Sequence, residues 1–170
     1  MRSLLVTAAI VLAAATGAMQ LQSTDFPDGG TIPTWAMARD CGGQNRSPAL
    51  AWSTAGKGVK SYALIVLDPD APIPGGFYHW VVYNLPVTSR GLAAGVRLAA
   101  NQLGETSAGT AGYYGPCPPP GPVHHYVFTL YALDIAHIPA DPPLSATQLN
   151  ARIAGHVLTR AVLRGTKSRA

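Results

Sequence analysis

The chain has 170 residues, of which 48% are hydrophobic and only 12% charged, with 18 Gly and 15 Pro. That balance excludes a coiled coil, a solvated helical array and a charge-rich disordered segment, and the length suits one loop-rich domain that buries its own core. The formal charge is +4, but Arg152, Arg160, Arg164, Lys167 and Arg169 all follow the last acidic residue, Asp141, and Arg2 lies in a segment expected to be removed. The remaining body carries 6 basic and 8 acidic residues with no basic stripe among aromatics, which argues against a nucleic-acid partner.

Residues 1–18 have the form of a signal peptide: Arg2, then the run Leu4 to Ala15, apolar apart from Thr7, then Thr16-Gly17-Ala18 with small residues suited to cleavage after Ala18 or Ala15. The run is too short to span a bilayer, which takes about 20 residues, and no transmembrane segment is expected in the mature chain. Residues 19–170 are then one exported domain, periplasmic or secreted. In an oxidising compartment the two cysteines, Cys41 and Cys117, pair with each other or stay as thiols, and export favours the disulfide.

Along the mature chain, Asp28-Gly29-Gly30 opens a turn and Thr31 to Met37 reads as a first strand. Tyr62 to Leu67 is an unbroken apolar run of strand length, which predicts a central strand buried on both faces. Strict alternation over Phe77 to Asn84 places Phe77, His79, Val81 and Tyr83 on one face. A long surface excursion follows from Leu85 to Tyr114, with a short helix expected near Thr88 to Ala94. His125 to Leu133, rich in aromatic and β-branched residues, is a further core strand. Ser145-Ala146-Thr147-Gln148 fits a capping box, and Leu149, Ile153, Val157 and Ala161 recur every fourth residue, which predicts a C-terminal helix. Strands first and a helix last make a mainly-β domain.

Two segments carry chemistry. In Asp68-Pro69-Asp70-Ala71-Pro72 two prolines hold two carboxylates at a strand end. In Gly115-Pro116-Cys117-Pro118-Pro119-Pro120-Gly121 a stiff loop leads to His124-His125-Tyr126, where alternation puts His124 and Tyr126 on one face and His125 on the other. A histidine and a tyrosine so placed supply directed donors for an anion at little ordering cost.

Together these segments, with His79-Trp80 and Tyr131-Ala132-Leu133-Asp134, resemble the phosphatidylethanolamine-binding protein family in its bacterial Raf-kinase-inhibitor-like branch. Phe26 to Gly30, Ser47 to Leu50 and Gly155 to Leu158 are also similar, so the resemblance runs from about Asp25 to Gly165. It implies a central antiparallel sheet packed on a smaller one, a C-terminal helix, and a small anion pocket formed by Asp68, Asp70, Pro72, His79, Pro118 or Pro119, His124 and Tyr126. It also implies a ligand such as phosphate or a phosphoethanolamine headgroup, no cofactor, and modulation of a partner kinase or protease. His125 stands where many relatives carry Arg.

The leading expectation is therefore a non-enzymatic binding module for a small anionic or zwitterionic ligand. His79, His124 and Tyr126 can donate to phosphate oxygens, whereas a carboxylate repels phosphate unless it is protonated, paired to histidine or facing an ammonium. The rival class is a metal-dependent hydrolase with Asp68, Asp70, His79 and His124 as ligands, although no H-E-x-x-H spacing is present. A serine esterase lacks its G-x-S-x-G elbow. A membrane-surface role would use Arg152, Arg160 and Arg164 on the last helix.

Overall fold

The computed structural model describes residues 18–140 and 143–169, so almost all of the expected signal segment lies outside the described residues. The strands are β1 (Leu21–Gln22), β2 (Gly30–Thr31), β3 (Leu50–Trp52), β4 (Ser61–Asp68), β5 (Phe77–Pro86), β6 (Gly91–Leu92), β7 (His124–Leu133) and β8 (Val157–Lys167), with one α-helix, α1 (Ala146–Ile153), before β8. They form a five-stranded sheet in the order β2-β8-β7-β4-β5 and a three-stranded sheet in the order β1-β3-β6. All pairings are antiparallel except β2 with β8. This is the mainly-β architecture expected from the sequence.

The apolar run predicted to be central is β4, which pairs with β5 on one side and β7 on the other. Both of its faces are covered. Tyr62, Leu64 and Val66 pack with Phe128 and Leu130 against Leu21, Leu50, Trp52 and Leu92 of the small sheet. Ala63 and Ile65 on the opposite face join Val81, Tyr83 and Leu133 beneath Leu149 and Ile153 of α1. The molecule thus has three layers, small sheet, large sheet and helix, and apolar burial on both faces of β4 explains its lack of alternation.

Three local expectations are corrected. The segment Thr31 to Met37 is a strand only at Thr31. Pro33 ends the pairing, and the chain turns into a short 3-10 helix, Thr34–Ala36, in which Ala36 N–H donates to Pro33 O at 3.0 Å. In place of a helix near Thr88 to Ala94 there is a turn, with Ser89 N–H donating to Pro86 O at 2.9 Å, followed by β6.

The C-terminal helix begins where predicted: Ser145 Oγ accepts from Gln148 N–H at 3.3 Å and Gln148 Oε1 accepts from Ser145 N–H at 2.9 Å. Yet it stops at Ile153. Gly155 takes a left-handed conformation with φ of 85°, and Val157 and Ala161 belong to β8, which pairs with β7 along its whole length. Consequently Arg160 and Arg164 lie on a strand and only Arg152 on the helix, so the three do not share one helical face. No described helix is long and apolar enough to cross a membrane.

Candidate functional site

The site forms where β4 ends, β5 begins and β7 begins, at one end of the large sheet. Antiparallel pairing brings these three termini together: Asp68 is registered with Phe77, and Leu67 is registered with Val127. The β4–β5 register then skips a residue, since Val66 faces Trp80 while Leu67 faces Tyr78. His79 is the extra residue of a β-bulge. The bulge turns it away from Val81 and Tyr83, which pack under α1, and toward Phe77 and Tyr126, with ring centroids at 4.6 and 5.1 Å. Phe77 and His79 share a face as predicted, and the bulge separates them from the other two.

His79 is buried, at 4% exposure. Its Nδ1–H donates to the Tyr114 carbonyl at 2.8 Å, while its own carbonyl accepts from Tyr114 N–H at 2.8 Å, so the strand-like segment at Tyr114 holds both its backbone and its ring. Burial lowers the His79 pKa, opposed in part by the Tyr114 carbonyl and the Asp68 charge.

Asp68 and His124 are both buried and meet at 2.7 Å between Oδ2 and Nδ1. The other carboxylate oxygen of Asp68 accepts from Asp70 N–H at 2.9 Å, a contact made within the rigid Asp-Pro-Asp turn. Each imidazole therefore commits Nδ1 and leaves Nε2 without a hydrogen-bond partner among the described residues.

These side chains face a cavity of about 390 Å³. Of the residues predicted from sequence, Asp68, Pro72, His79, Pro118, Pro119 and His124 line it, so both prolines between which the sequence left a choice are on the wall. Tyr126 stands behind His79 instead of on the lining. Its hydroxyl is buried without a hydrogen-bond partner among the described residues, and burial followed by the Asp68 charge raises its pKa.

Asp70 points elsewhere. Its Oδ2 accepts from both the backbone N–H (2.8 Å) and Nδ1 (2.7 Å) of His125 on the exposed face of β7, and the His125 side-chain hydrogen bond is the main cause of its lowered pKa. His125 thus supplies two hydrogen bonds to Asp70, one from its backbone and one from its ring.

Sequence reasoning missed Ala71, Ile73, Phe77, Tyr114, Cys117 and Arg169 as wall residues. Phe77 was legible as the residue two before His79, Ala71 and Ile73 as neighbours of Pro72, and Cys117 as the residue before Pro118; Tyr114 and Arg169 reach the wall through contacts distant in sequence. Cys117 is bonded to Cys41, with Cα atoms 5.5 Å apart, as the compartment argument favoured. Of the four residues considered as a metal set, Asp68, His79 and His124 share the cavity wall and Asp70 does not, and no three of them bring ligand atoms together. Among the described residues the only His/Cys/Asp/Glu group of three or more that converges is Asp40 with Cys41 and Cys117, whose sulfurs are joined in the disulfide.

The chain is a mainly-β sandwich with a small, largely apolar cavity at the strand ends, walled by a buried carboxylate–histidine pair and proline loops. The profile of the phosphatidylethanolamine-binding proteins matches residues 22–168, and the chain belongs to that family, in the branch represented by YbhB and YbcL of Escherichia coli. It is 39% identical to the UPF0098 protein YbhB of E. coli over 151 residues, covering 84% of this chain and 96% of YbhB. It is 42% identical over 152 residues to a UPF0098 protein of Methanothermobacter thermautotrophicus, covering 86% and 97%. The crystal structure of E. coli YbcL, described as a new member of the mammalian PEBP family, superposes with a TM-score of 0.84 at 32% identity, covering 91% of this chain and 100% of that one.

Proposed function

We propose that the chain is an exported, non-enzymatic module that binds a small phosphate-bearing anion or zwitterion, of the phosphate or phosphoethanolamine kind, in the cavity between the Asp68 and His124 segments. The observation that carries this reading is the pair of buried imidazoles, each held by Nδ1 and each leaving Nε2 for a ligand beside a carboxylate already engaged by histidine. Pairing to His124 removes much of the repulsion that Asp68 would exert on a phosphate, and it leaves a partial negative charge suited to an ammonium. The wall presents no serine, threonine or lysine among the described residues, and its one cysteine is in a disulfide, which supports binding without turnover. The disulfide likewise supports export. From the family resemblance, the reading includes modulation of a partner kinase or protease as the output of ligand binding.

Calorimetric titration with inorganic phosphate, sulfate and phosphoethanolamine tests the proposal. Saturable binding that is lost in His124→Ala, with no hydrolysis of p-nitrophenyl phosphate, is the expected result. A chelator-sensitive hydrolysis that co-purifies with the protein and disappears in His124→Ala would establish the hydrolase instead.

A further inference from the structure

We propose that Arg169 is the charge-bearing clamp of this pocket, the residue that meets the ligand's phosphoryl oxygens with a permanent positive charge. The inference rests on the anion-binding reading above and adds to it the source of the affinity.

The cavity wall has a charge problem that the residues known from the sequence do not solve. Asp68 contributes a carboxylate, and the two imidazoles have spent their Nδ1 hydrogens on Asp68 and on the Tyr114 carbonyl. A neutral imidazole arranged this way offers a lone pair at Nε2 and becomes a second donor only by taking up a proton, which burial disfavours at His79. An ionised phosphate entering such a site is bound more tightly where a cation that does not depend on pH stands on the wall.

Two candidates lie near the end of β8. Lys167 is registered beside His124, but its Nζ is buried and donates to Ile32 O at 3.0 Å and Thr34 Oγ1 at 3.1 Å, and it is not on the cavity wall. Arg169, two residues further, is on the wall with Asp68, His79 and His124. Its main chain is tied to the proline loop, its carbonyl accepting from Gly121 N–H at 3.2 Å.

The guanidinium itself has no oxygen acceptor among the described residues. Its Nη1 donates to Cys41 Sγ at 3.0 Å, a weak acceptor, and its Nε is buried with no partner among the described residues. The ion pairs among the described residues are all between histidine and aspartate, and none includes Arg169. A partly buried guanidinium whose one acceptor is a sulfur gains a countercharge and stronger, charge-assisted hydrogen bonds from a phosphoryl group. Among side chains described on the wall, Arg169 is the only permanent cation.

The test measures binding of inorganic phosphate, phosphoethanolamine and glycerophosphoethanolamine by calorimetry at pH 7.5 to wild type, Arg169→Gln, Arg169→Lys and the exposed control Arg164→Gln. Arg169→Gln should weaken every phosphate probe by about tenfold or more, and Arg169→Lys, which keeps the charge but loses the fork, by roughly threefold or more. Arg164→Gln should match wild type. Comparable affinity for glycerophosphoethanolamine and phosphoethanolamine would assign the site to a lipid headgroup; preference for the two probes with a free phosphate would assign it to a soluble phosphate. Thermal unfolding accompanies each variant, and should Arg169→Gln not fold, the lysine variant decides. Wild-type affinity in the folded Arg169 variants would overturn the clamp while leaving the anion site standing. Failure of wild type to bind any probe would overturn both.

Discussion

Asp68 on β4 and His124 on β7, 56 residues apart in the chain, form a buried pair at 2.7 Å. Neither strand end could place its polar group in the interior alone, because an unpaired carboxylate or an imidazole with no partner there would carry its full desolvation cost. The pair therefore holds both groups in the interior and leaves Nε2 of His124 without a hydrogen-bond partner among the described residues. A double-mutant cycle of Asp68→Asn and His124→Gln, followed by denaturant unfolding, should give a coupling energy on the order of 1–3 kcal/mol. Strictly additive losses would show that the two groups act independently.

The buried bulge residue His79 makes both stability and binding depend on pH, in opposite directions. Its folded pKa lies below the ordinary value because burial disfavours the imidazolium. The groups around it are Phe77, Asp68, Tyr114, His124 and Tyr126. As pH falls below ~6.5 the unfolded chain takes a proton that the folded chain resists, so stability declines until the folded pKa is passed, with a slope of at most about 1.4 kcal/mol per pH unit for one proton. Unfolding midpoints measured between pH 7.5 and 5 should show this decline, and His79→Asn should flatten it. Sulfate, whose charge is constant over that range, should bind more tightly as pH falls, because a protonated Nε2 becomes a donor to it.

Cys41 and Cys117 close a loop with a sequence separation of 76 and join the 3-10 turn after Ala38 to the proline loop on the cavity wall. Removing the bond in Cys41→Ser/Cys117→Ser should lower stability by about 2–4 kcal/mol. Thiol titration of denatured, unreduced protein should find no free cysteine. Because Arg169 contacts Cys41 Sγ at 3.0 Å, the double variant should also weaken phosphate binding.

Asp70→Asn separates the two carboxylates of the Asp-Pro-Asp turn. The Asp70 carboxylate is occupied by His125 and lies off the cavity wall, so its loss should change phosphoethanolamine affinity by no more than about twofold, whereas loss of an acceptor that touched the ammonium would cost roughly tenfold or more. Calorimetry on this variant distinguishes the two placements. Its lowered pKa adds stability that is present above the ordinary carboxylate pKa and fades as pH falls through the folded value. The exposed position of the pair keeps that contribution small.

Several features of this protein are written in short stretches of sequence. The uniform apolar run of β4 announces a strand covered on both faces, the alternation of His124, His125 and Tyr126 assigns the two histidines to opposite sides of β7, and Ser145 with Gln148 marks the start of α1. Each depends on residues within a turn or two of one another, where backbone period and capping chemistry act directly. Other features belong to the tertiary structure. The four-residue apolar spacing through Val157 and Ala161 has helical period, yet β7 captures that segment as β8 because a full ladder of pairing, with Ala161 and Leu163 buried on one face, outweighs a local preference. His79 leaves the face of Val81 and Tyr83 only because β4 pairs with β5 across a register shift, and a shift is a property of two strands together. Arg169 and the disulfide reach the cavity through contacts with chain far away in sequence, whose energies exist only once the sheet order is made.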